Sequence, residues 1–149
     1  MEAQAVESAE LPSSPPIAAA SRKPRVLLVE DDPDMRRLVS FMLEKDGCEV
    51  IQAASGVGLF AGIECTIWSE PEDSYDLIVS DIQMPDLTAL DVLSGLPERS
   101  RGIPIVLMTA YGSPEVRTKA RALGAVAFLD KPFEWDTLRM AVHNALARQ

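Results

Sequence analysis

The chain contains 149 residues with a formal net charge of −9, and 47% of its residues are hydrophobic. This length suits one domain with its own core, and the longest apolar runs fall well short of the roughly 18 residues that a membrane-spanning helix requires. The acidic balance disfavours direct binding to a phosphate backbone, and the acidic start at Glu2, Glu7 and Glu10 does not resemble a secretory signal. We therefore expect a cytoplasmic protein that binds neither membrane nor nucleic acid.

Residues 1–24 differ in composition from the rest of the chain. They are rich in Ala, Ser and Pro and show no helical or strand periodicity. They contribute −1 to the net charge, and the remainder contributes −8. Such a composition is typical of a disordered tail, so we place the folded domain at residues 25–149.

From Arg25 onward, short runs rich in β-branched residues alternate with amphipathic stretches. Strands are predicted at residues 25–29, 49–53, 76–80, 104–108 and 125–129. Each is short and mostly apolar, as buried parallel strands are. Five strands that alternate with five helices predict an α/β fold, with a parallel sheet covered by helices on both faces.

The predicted helices carry recognisable start and stop residues. These are Asp32-Pro33 and Gly47 for the first helix, Ser55-Gly56 for the start of the second, and Ser113-Pro114-Glu115 and Gly124 for the fourth. The third helix is predicted at residues 88–96. Apolar positions at helical spacing predict buried faces of the first and last helices, formed by Met35, Leu38, Val39, Met42 and Leu43 and by Trp135, Leu138, Val142 and Leu146.

The two cysteines, Cys48 and Cys65, do not have the spacing of a metal site. In the cytoplasm they would stay reduced. We expect both to be small core residues.

Polar residues follow four of the five predicted strands. They are Glu30-Asp31-Asp32, Asp81, Thr109-Ala110 and Asp130-Lys131-Pro132. Because ligands of open α/β sheets bind outside the carboxyl ends of the strands, we expect these residues to converge there.

The converging residue types point to phosphoryl chemistry. Carboxylates brought together from two neighbouring strands repel each other, and a divalent cation or protonation relieves that repulsion. Oxygen-only ligands favour Mg²⁺. The Thr109 hydroxyl and the Lys131 ammonium are groups that bind the oxygens of an incoming phosphoryl group. Together they describe a carboxylate that accepts a phosphoryl group.

Each of these residues also has a simpler interpretation when taken alone. Glu30-Asp31-Asp32 fits an acidic helix N-terminus, Thr109 fits an ordinary strand end, and Lys131 fits a solvated charge. The arrival of all of them at one edge of one sheet is what favours the functional interpretation. His143, on the last helix far from this edge, is expected to be a surface residue.

Four segments together resemble the receiver domains of two-component signal transduction systems: residues 26–33 (VLLVEDDP), 81–85 (DIQMP), 106–110 (VLMTA) and 131–133 (KPF). The resemblance covers about residues 25–148. It implies a flavodoxin-like doubly wound (βα)5 sheet of strand order 2-1-3-4-5 and a cis peptide bond at Lys131-Pro132.

The resemblance also implies a role for each site residue. Asp81 would be the phosphoacceptor, while Thr109 and Lys131 would bind the phosphoryl group. The Mg²⁺ ligands would be Asp31, Asp81, the backbone carbonyl of Gln83 and, through water, Glu30. Phe128 would change rotamer together with Thr109 on activation, and Gln83 and Tyr111 would set the lifetime of the phosphorylated state.

Two features depart from the family pattern. Thr88-Ala89 stands where the family usually places Asp-Gly, so alanine would be strained if its position required a positive φ. The segment between Gly56 and Asp81 is several residues longer than is typical, and residues 68–73 are the expected inserted loop.

These features predict a phosphorylation-dependent switch rather than an enzyme. Its donor would be a histidine kinase or a histidine phosphotransfer protein. With no output segment after the last helix, we expect a stand-alone receiver that acts on a separate protein through the face formed by the fourth helix, fifth strand and fifth helix.

Two alternatives remain at this stage. One is an aspartate phosphatase of the haloacid-dehalogenase type, whose D-x-D-x-T/V motif residues 30–33 do not match. The other is a receiver-like binding module that is not phosphorylated.

Overall fold

The computed structural model describes residues 22–68, 70, 73–97 and 102–148. Five strands and five helices alternate along this part of the chain. They are β1 Arg25–Val29, α1 Pro33–Lys45, β2 Glu49–Ala53, α2 Gly56–Trp68, β3 Leu77–Asp81, α3 Ala89–Ser94, β4 Ile105–Thr109, α4 Pro114–Ala122, β5 Ala125–Asp130 and α5 Trp135–Ala147. The strands form one parallel sheet in the order β2-β1-β3-β4-β5. The predicted α/β fold and its flavodoxin-like strand order are therefore confirmed.

The helices cover both faces of the sheet, and each face has its own apolar core. Alternation along β1 sends Val26 and Leu28 to the side of α1 and α5, and Leu27 and Val29 to the side of α2, α3 and α4. Burying a side chain of this size stabilises the fold by about 1.5–3 kcal/mol. Gly62 of α2 allows a close approach to β1, because a Cβ there would lie 2.3 Å from Cδ2 of Leu27.

The predicted bounds of β1 and β2 are correct, whereas the last three strands end one residue later than predicted. Pairing continues to Asp81, opposite Met108, and to Thr109, opposite Asp130. Backbone pairing with the neighbouring strand sets these ends, and the polarity of the side chain does not interrupt it. Asp81 and Thr109, both predicted as site residues, are consequently held within the sheet rather than in the loops.

Five side chains predicted to be buried are more exposed than expected, and Met35 and Met42 of α1 are two of them, both half-buried. Leu38 of α1 is 50% exposed because about 100° of helical rotation separates it from buried Val39. Trp135 and Leu146 of α5 are half-buried against the core, where Leu138 and Val142 are buried as predicted. His143 is exposed, as expected.

The two cysteines differ in their surroundings. Cys48 is buried, and burial raises the pKa of its thiol. Cys65 is exposed on α2, so its prediction as a core residue is wrong.

The segment predicted as an inserted loop begins one residue later than predicted, because Trp68 is the last residue of α2. Its side chain is 78% exposed. Residues 69, 71 and 72 of this segment, and residues 1–21 of the predicted tail, lie outside the described residues.

Local capping interactions position the loops at the carboxyl edge. The Asp32 side chain accepts a hydrogen bond from the Asp34 N–H, and the Ser113 hydroxyl accepts one from the Val116 N–H. Thr88 caps α3 with φ −80°, and Ala89 is the first helical residue. No positive φ is required there, so the strain considered for Ala89 does not arise.

The described part of the chain holds no helix that is long and apolar enough to cross a membrane.

Candidate phosphoacceptor site

The site lies where β1, β3 and β5 end. Glu30 follows β1, Asp81 is the last residue of β3, and Lys131 follows β5. The Lys131 ammonium donates to Glu30 Oε1 over 2.6 Å and to Asp81 Oδ2 over 3.2 Å. The peptide bond between Lys131 and Pro132 is cis, as the resemblance implied.

Three carboxylates meet beside this lysine. Oxygen atoms of Glu30, Asp31 and Asp81 lie within 4.8 Å of one another. Glu30 and Asp81 are 1% and 6% exposed, whereas Asp31 is exposed, so the cluster opens to solvent on its Asp31 side. An all-oxygen donor set that solvent can reach suits a hard divalent cation such as Mg²⁺, which retains water in its coordination shell.

Burial and the neighbouring charges shift the pKa values of Glu30 and Lys131 in opposite directions. Burial raises the pKa of the Glu30 carboxyl despite the hydrogen bond from Lys131. Burial alone would lower the pKa of Lys131, but the hydrogen bond to Glu30 and the charge of Asp81 outweigh it and raise that pKa. Lys131 therefore stays protonated at neutral pH and partly compensates the carboxylates.

Backbone N–H groups fix the orientation of the two buried carboxylates. Glu30 Oε2 accepts a hydrogen bond from Asp32 N over 3.2 Å, and Asp81 Oδ1 accepts one from Gln83 N over 3.4 Å. The Gln83 side chain is exposed. The Gln83 backbone thus lies beside the carboxylate cluster, where its carbonyl was expected to act.

Thr109 ends β4 next to this cluster. It lies one residue beyond Met108, the partner of Asp81 in the β3–β4 register, and its side chain is fully buried. Its hydroxyl accepts a hydrogen bond from Tyr111 N over 3.0 Å, and its carbonyl accepts one from Lys131 N over 2.7 Å. The Thr109 hydroxyl and the Lys131 ammonium thus lie at the ends of the neighbouring strands β4 and β5.

Comparison with known proteins agrees with this arrangement. The family described as the response regulator receiver domain matches residues 26–143. The chain belongs to this family. Receiver domains are phosphoacceptor switches rather than enzymes, so the phosphatase alternative is excluded.

A transcriptional regulator from another bacterium is similar to this chain in sequence. The chain is 32% identical over 124 residues to the transcriptional regulatory protein FixJ of Bradyrhizobium diazoefficiens, covering 83% of this chain and 57% of FixJ. The chain thus spans little more than half the length of this relative.

Solved structures share the fold. Chemotaxis response regulator CheY4 of Vibrio cholerae is 30% identical with a TM-score of 0.70, and the match covers 83% of this chain and 99% of CheY4. Response regulator TrrA of Thermotoga maritima, solved in complex with Mg²⁺-BeF, is 28% identical with a TM-score of 0.68, covering 83% of this chain and 99% of TrrA.

The side of the receiver site facing α4 contains residues that the sequence did not single out. Arg117 of α4 lies over the Phe128 ring, with its Cζ 4.5 Å from the centroid, and also pairs with Asp130. A Cβ on Gly112 would lie 3.0 Å from Phe128 Cε1 and 3.1 Å from Thr109 Cγ2. Thr109, Gly112, Phe128 and Arg117 therefore form a packed series from the site to the surface of α4.

The sequence offered only weak signals for Gly112 and Arg117, the two members of this series that it did not single out. Gly112 immediately precedes a helix cap, where glycine is ordinary, and Arg117 looks like one of several exposed charges on α4. Only the fold brings them against Phe128.

Asp86 was also missed. It lies in the loop after β3, and its carboxylate accepts hydrogen bonds from Gly56 N over 2.8 Å and Val57 N over 3.0 Å. These bonds lower the pKa of Asp86. The side chain thereby ties the loop that follows Asp81 to the start of α2.

Tyr111 brings a large exposed side chain to the rim. Its side chain is 76% exposed, while its backbone N–H is fixed to Thr109.

Proposed function

We propose that this receiver accepts a phosphoryl group on Asp81 from a phosphohistidine donor and that the product changes its affinity for an output protein. The observation that carries the proposal is the lysine bridge: Lys131 bonds both Glu30 and Asp81 at the edge where three carboxylates cluster. A buried carboxylate beside the Lys131 ammonium can accept a phosphoryl group, because the ammonium can bind the oxygens that arrive with it. A binding module that is never phosphorylated has no need of this arrangement.

Asp81 is the nucleophile in this proposal. One of its carboxylate oxygens bonds to phosphorus as the phosphorus–nitrogen bond of the donor breaks, and the imidazole leaves with the electron pair. Lys131 and the Thr109 hydroxyl then bind the phosphoryl oxygens, which carry more negative charge than the original carboxylate. The Thr109 oxygen accepts from the Tyr111 N–H, which leaves the hydroxyl hydrogen free to be donated to a phosphoryl oxygen.

Mg²⁺ is the proposed cofactor, and the donor set fits it. Asp31, Asp81, the Gln83 carbonyl and, through water, Glu30 would hold the ion. When bound, it neutralises charge that builds up on the transferring oxygens. The related TrrA, which was solved with Mg²⁺-BeF, supports this assignment.

The proposed partners follow from the family. The donor is a histidine kinase or a histidine phosphotransfer protein in the cytoplasm, and the output protein binds the face made by α4, β5 and α5. The packed series from Thr109 through Gly112 and Phe128 to Arg117 supports this face, because it joins the site to α4.

The test is phosphorylation with acetyl phosphate, a small donor that needs no kinase. In the presence of MgCl₂ the full chain should gain one phosphoryl group by intact mass spectrometry, and EDTA should prevent the gain. Asp81→Asn should abolish it, because an amide is not a competent nucleophile.

Asp34→Asn is the matched control. Asp34 is an exposed carboxylate on α1 that lies outside the cluster and pairs with Arg37, so its loss should leave labelling intact. Equal labelling of wild type and Asp81→Asn would contradict the assignment of the acceptor.

A further inference from the structure

Strand β5 has a neighbour on one side only. It is the last strand of the sheet and pairs with β4. Its other side opens into a groove lined by residues 125–128 of β5, by Arg117, Ala120 and Arg121 of α4, and by Arg148 at the end of α5. An edge strand of this kind presents backbone N–H and C=O groups that a further strand can pair with.

The floor of the groove is suited to such pairing. Residues 125–127 are Ala, Val and Ala, and all three are half-buried. Short side chains leave the strand backbone accessible, which is the requirement for adding an extended peptide to a sheet edge.

Two arginines at this groove have no partner within the described residues. Arg121 and Arg148 are exposed and make neither an ion pair nor a side-chain hydrogen bond there. The other arginines of that part of the chain are bonded to carboxylates or carbonyls, for example Arg37 to Asp34 and Arg139 to Asp46. In a chain with a net charge of −9, two guanidinium groups left open at one groove form a local site for negative charge.

We propose that this groove binds an extended acidic segment of a partner protein, which pairs with the edge of β5 and places carboxylates on Arg121 and Arg148. This deepens the proposed function, because it assigns a chemistry to the output partner, and the binding step itself needs no phosphoryl group. Arg117 and Phe128 line the same groove, so its occupant contacts the side chain expected to switch.

The observations favour a peptide over nucleic acid or a second copy of the chain. Nucleic acid has no peptide backbone to pair with the exposed edge of a strand. A second copy related by twofold symmetry would present the same patch, which would bring arginines towards arginines.

The experiment uses the full unphosphorylated chain and a fluorescein-labelled peptide of alternating Glu and Val, about eight residues long, within the usual length of a strand. Fluorescence anisotropy at low ionic strength should show saturable binding, and amide shifts in the NMR spectrum should map to residues 117–130 and 148. Arg121→Gln and Arg148→Gln should each weaken binding about threefold to fivefold, as expected for loss of one exposed ion pair. Both side chains are exposed and unbonded, so neither substitution should disturb folding.

Arg139→Gln is the matched control. It removes the same charge from α5, but Arg139 is bonded to Asp46 and is not part of the groove, so binding should not change. A Lys–Val peptide should fail to bind, and a peptide with alternate backbone nitrogens methylated should bind more weakly than the parent.

Several outcomes would overturn the inference. They are equal weakening by Arg139→Gln and Arg121→Gln, undiminished binding of the methylated peptide, tighter binding of a labelled DNA duplex than of the peptide, or a dimer in sedimentation that Arg121→Gln and Arg148→Gln dissociate. No phosphoryl donor is present, so failure here is separate from failure of Asp81 to accept a phosphoryl group.

Discussion

Lys131 shows how single residues determine the chemistry of this site. Its ammonium is 2.6 Å from Glu30 and 3.2 Å from Asp81, and only 16% of its side chain is exposed. Removing a cation from between two buried carboxylates leaves charge uncompensated, which is costly in a medium of low polarity. The lysine therefore contributes to folding as well as to the proposed binding of the phosphoryl group.

Tyr111 is predicted to lengthen the life of the phosphorylated state by blocking the approach of water. The Tyr111→Ala variant should still be phosphorylated on Asp81, but it should release phosphate faster than wild type after the donor is removed. Each tenfold change in the release rate corresponds to about 1.36 kcal/mol in the barrier. The ring is 76% exposed, so its removal should not alter folding. Tyr111→Phe keeps the bulk and should decay like wild type, and Gln83→Ala should be compared alongside. Decay of Tyr111→Ala at the wild-type rate or more slowly would show that shielding by Tyr111 is the wrong account.

Gly112 is predicted to be intolerant of a side chain. A Cβ there would lie 2.8 Å from Asp130 Oδ1 and 3.0 Å from Phe128 Cε1, so Gly112→Ala should reduce the free energy of unfolding by about 1–3 kcal/mol in urea denaturation. Gly102→Ala is the control, because a Cβ at that glycine meets nothing within 4 Å. Its stability should be unchanged or higher by up to about 1 kcal/mol. Equal stability of the two variants would mean that the Gly112 contacts relax without cost.

At the scale of elements, the short helix α3 illustrates how the chain replaces a family pattern. It has six residues, and Thr88 and Asp91 form a capping box in which each side chain accepts a hydrogen bond from the other's backbone N–H. The Thr88 hydroxyl thus provides an acceptor for a backbone N–H at the start of the helix, and no glycine is needed there. The helix then buries Leu90 and Leu93 against the core.

Thr88→Ala is predicted to lower the free energy of unfolding by about 1 kcal/mol, because the Asp91 N–H loses its acceptor. Thr88→Ser keeps the hydroxyl and should retain most of the stability. Urea denaturation of the three proteins gives the comparison. If Thr88→Ala and Thr88→Ser have the same midpoint as wild type, the capping box contributes nothing to the fold.

At the scale of the whole molecule, the proposed switch requires that the site and the α4–β5–α5 face change together. Moving an equilibrium from 1:99 to 99:1 needs about 5.5 kcal/mol of differential stabilisation, and a smaller stabilisation gives partial activation. Phosphorylation should shift amide resonances throughout residues 109–140, including those of Phe128 and Arg117. Changes restricted to the surroundings of Asp81 would argue against such a relay.

The sequence alone determined the repeated βα units, because the alternation of short apolar runs with amphipathic stretches follows from chain geometry. It also placed Glu30, Asp81 and Lys131 at one edge, since parallel strands share the direction of their carboxyl ends. The caps at Asp32 and Ser113 could be predicted because the hydrogen bonds at a helix start join residues that are close in the sequence. The strand order and the cis bond came from the resemblance to receiver domains.

Only the tertiary structure decided which side chains touch. Lys131 bonds carboxylates 50 and 101 residues away in the chain, and Arg117 lies over the ring of Phe128. The outward position of Leu38, the tie from Asp86 to α2 and the groove with Arg121 and Arg148 likewise depend on how separate elements approach. Local sequence carries the periodicity of one element at a time, whereas these contacts depend on the distances between elements that packing of the two cores sets.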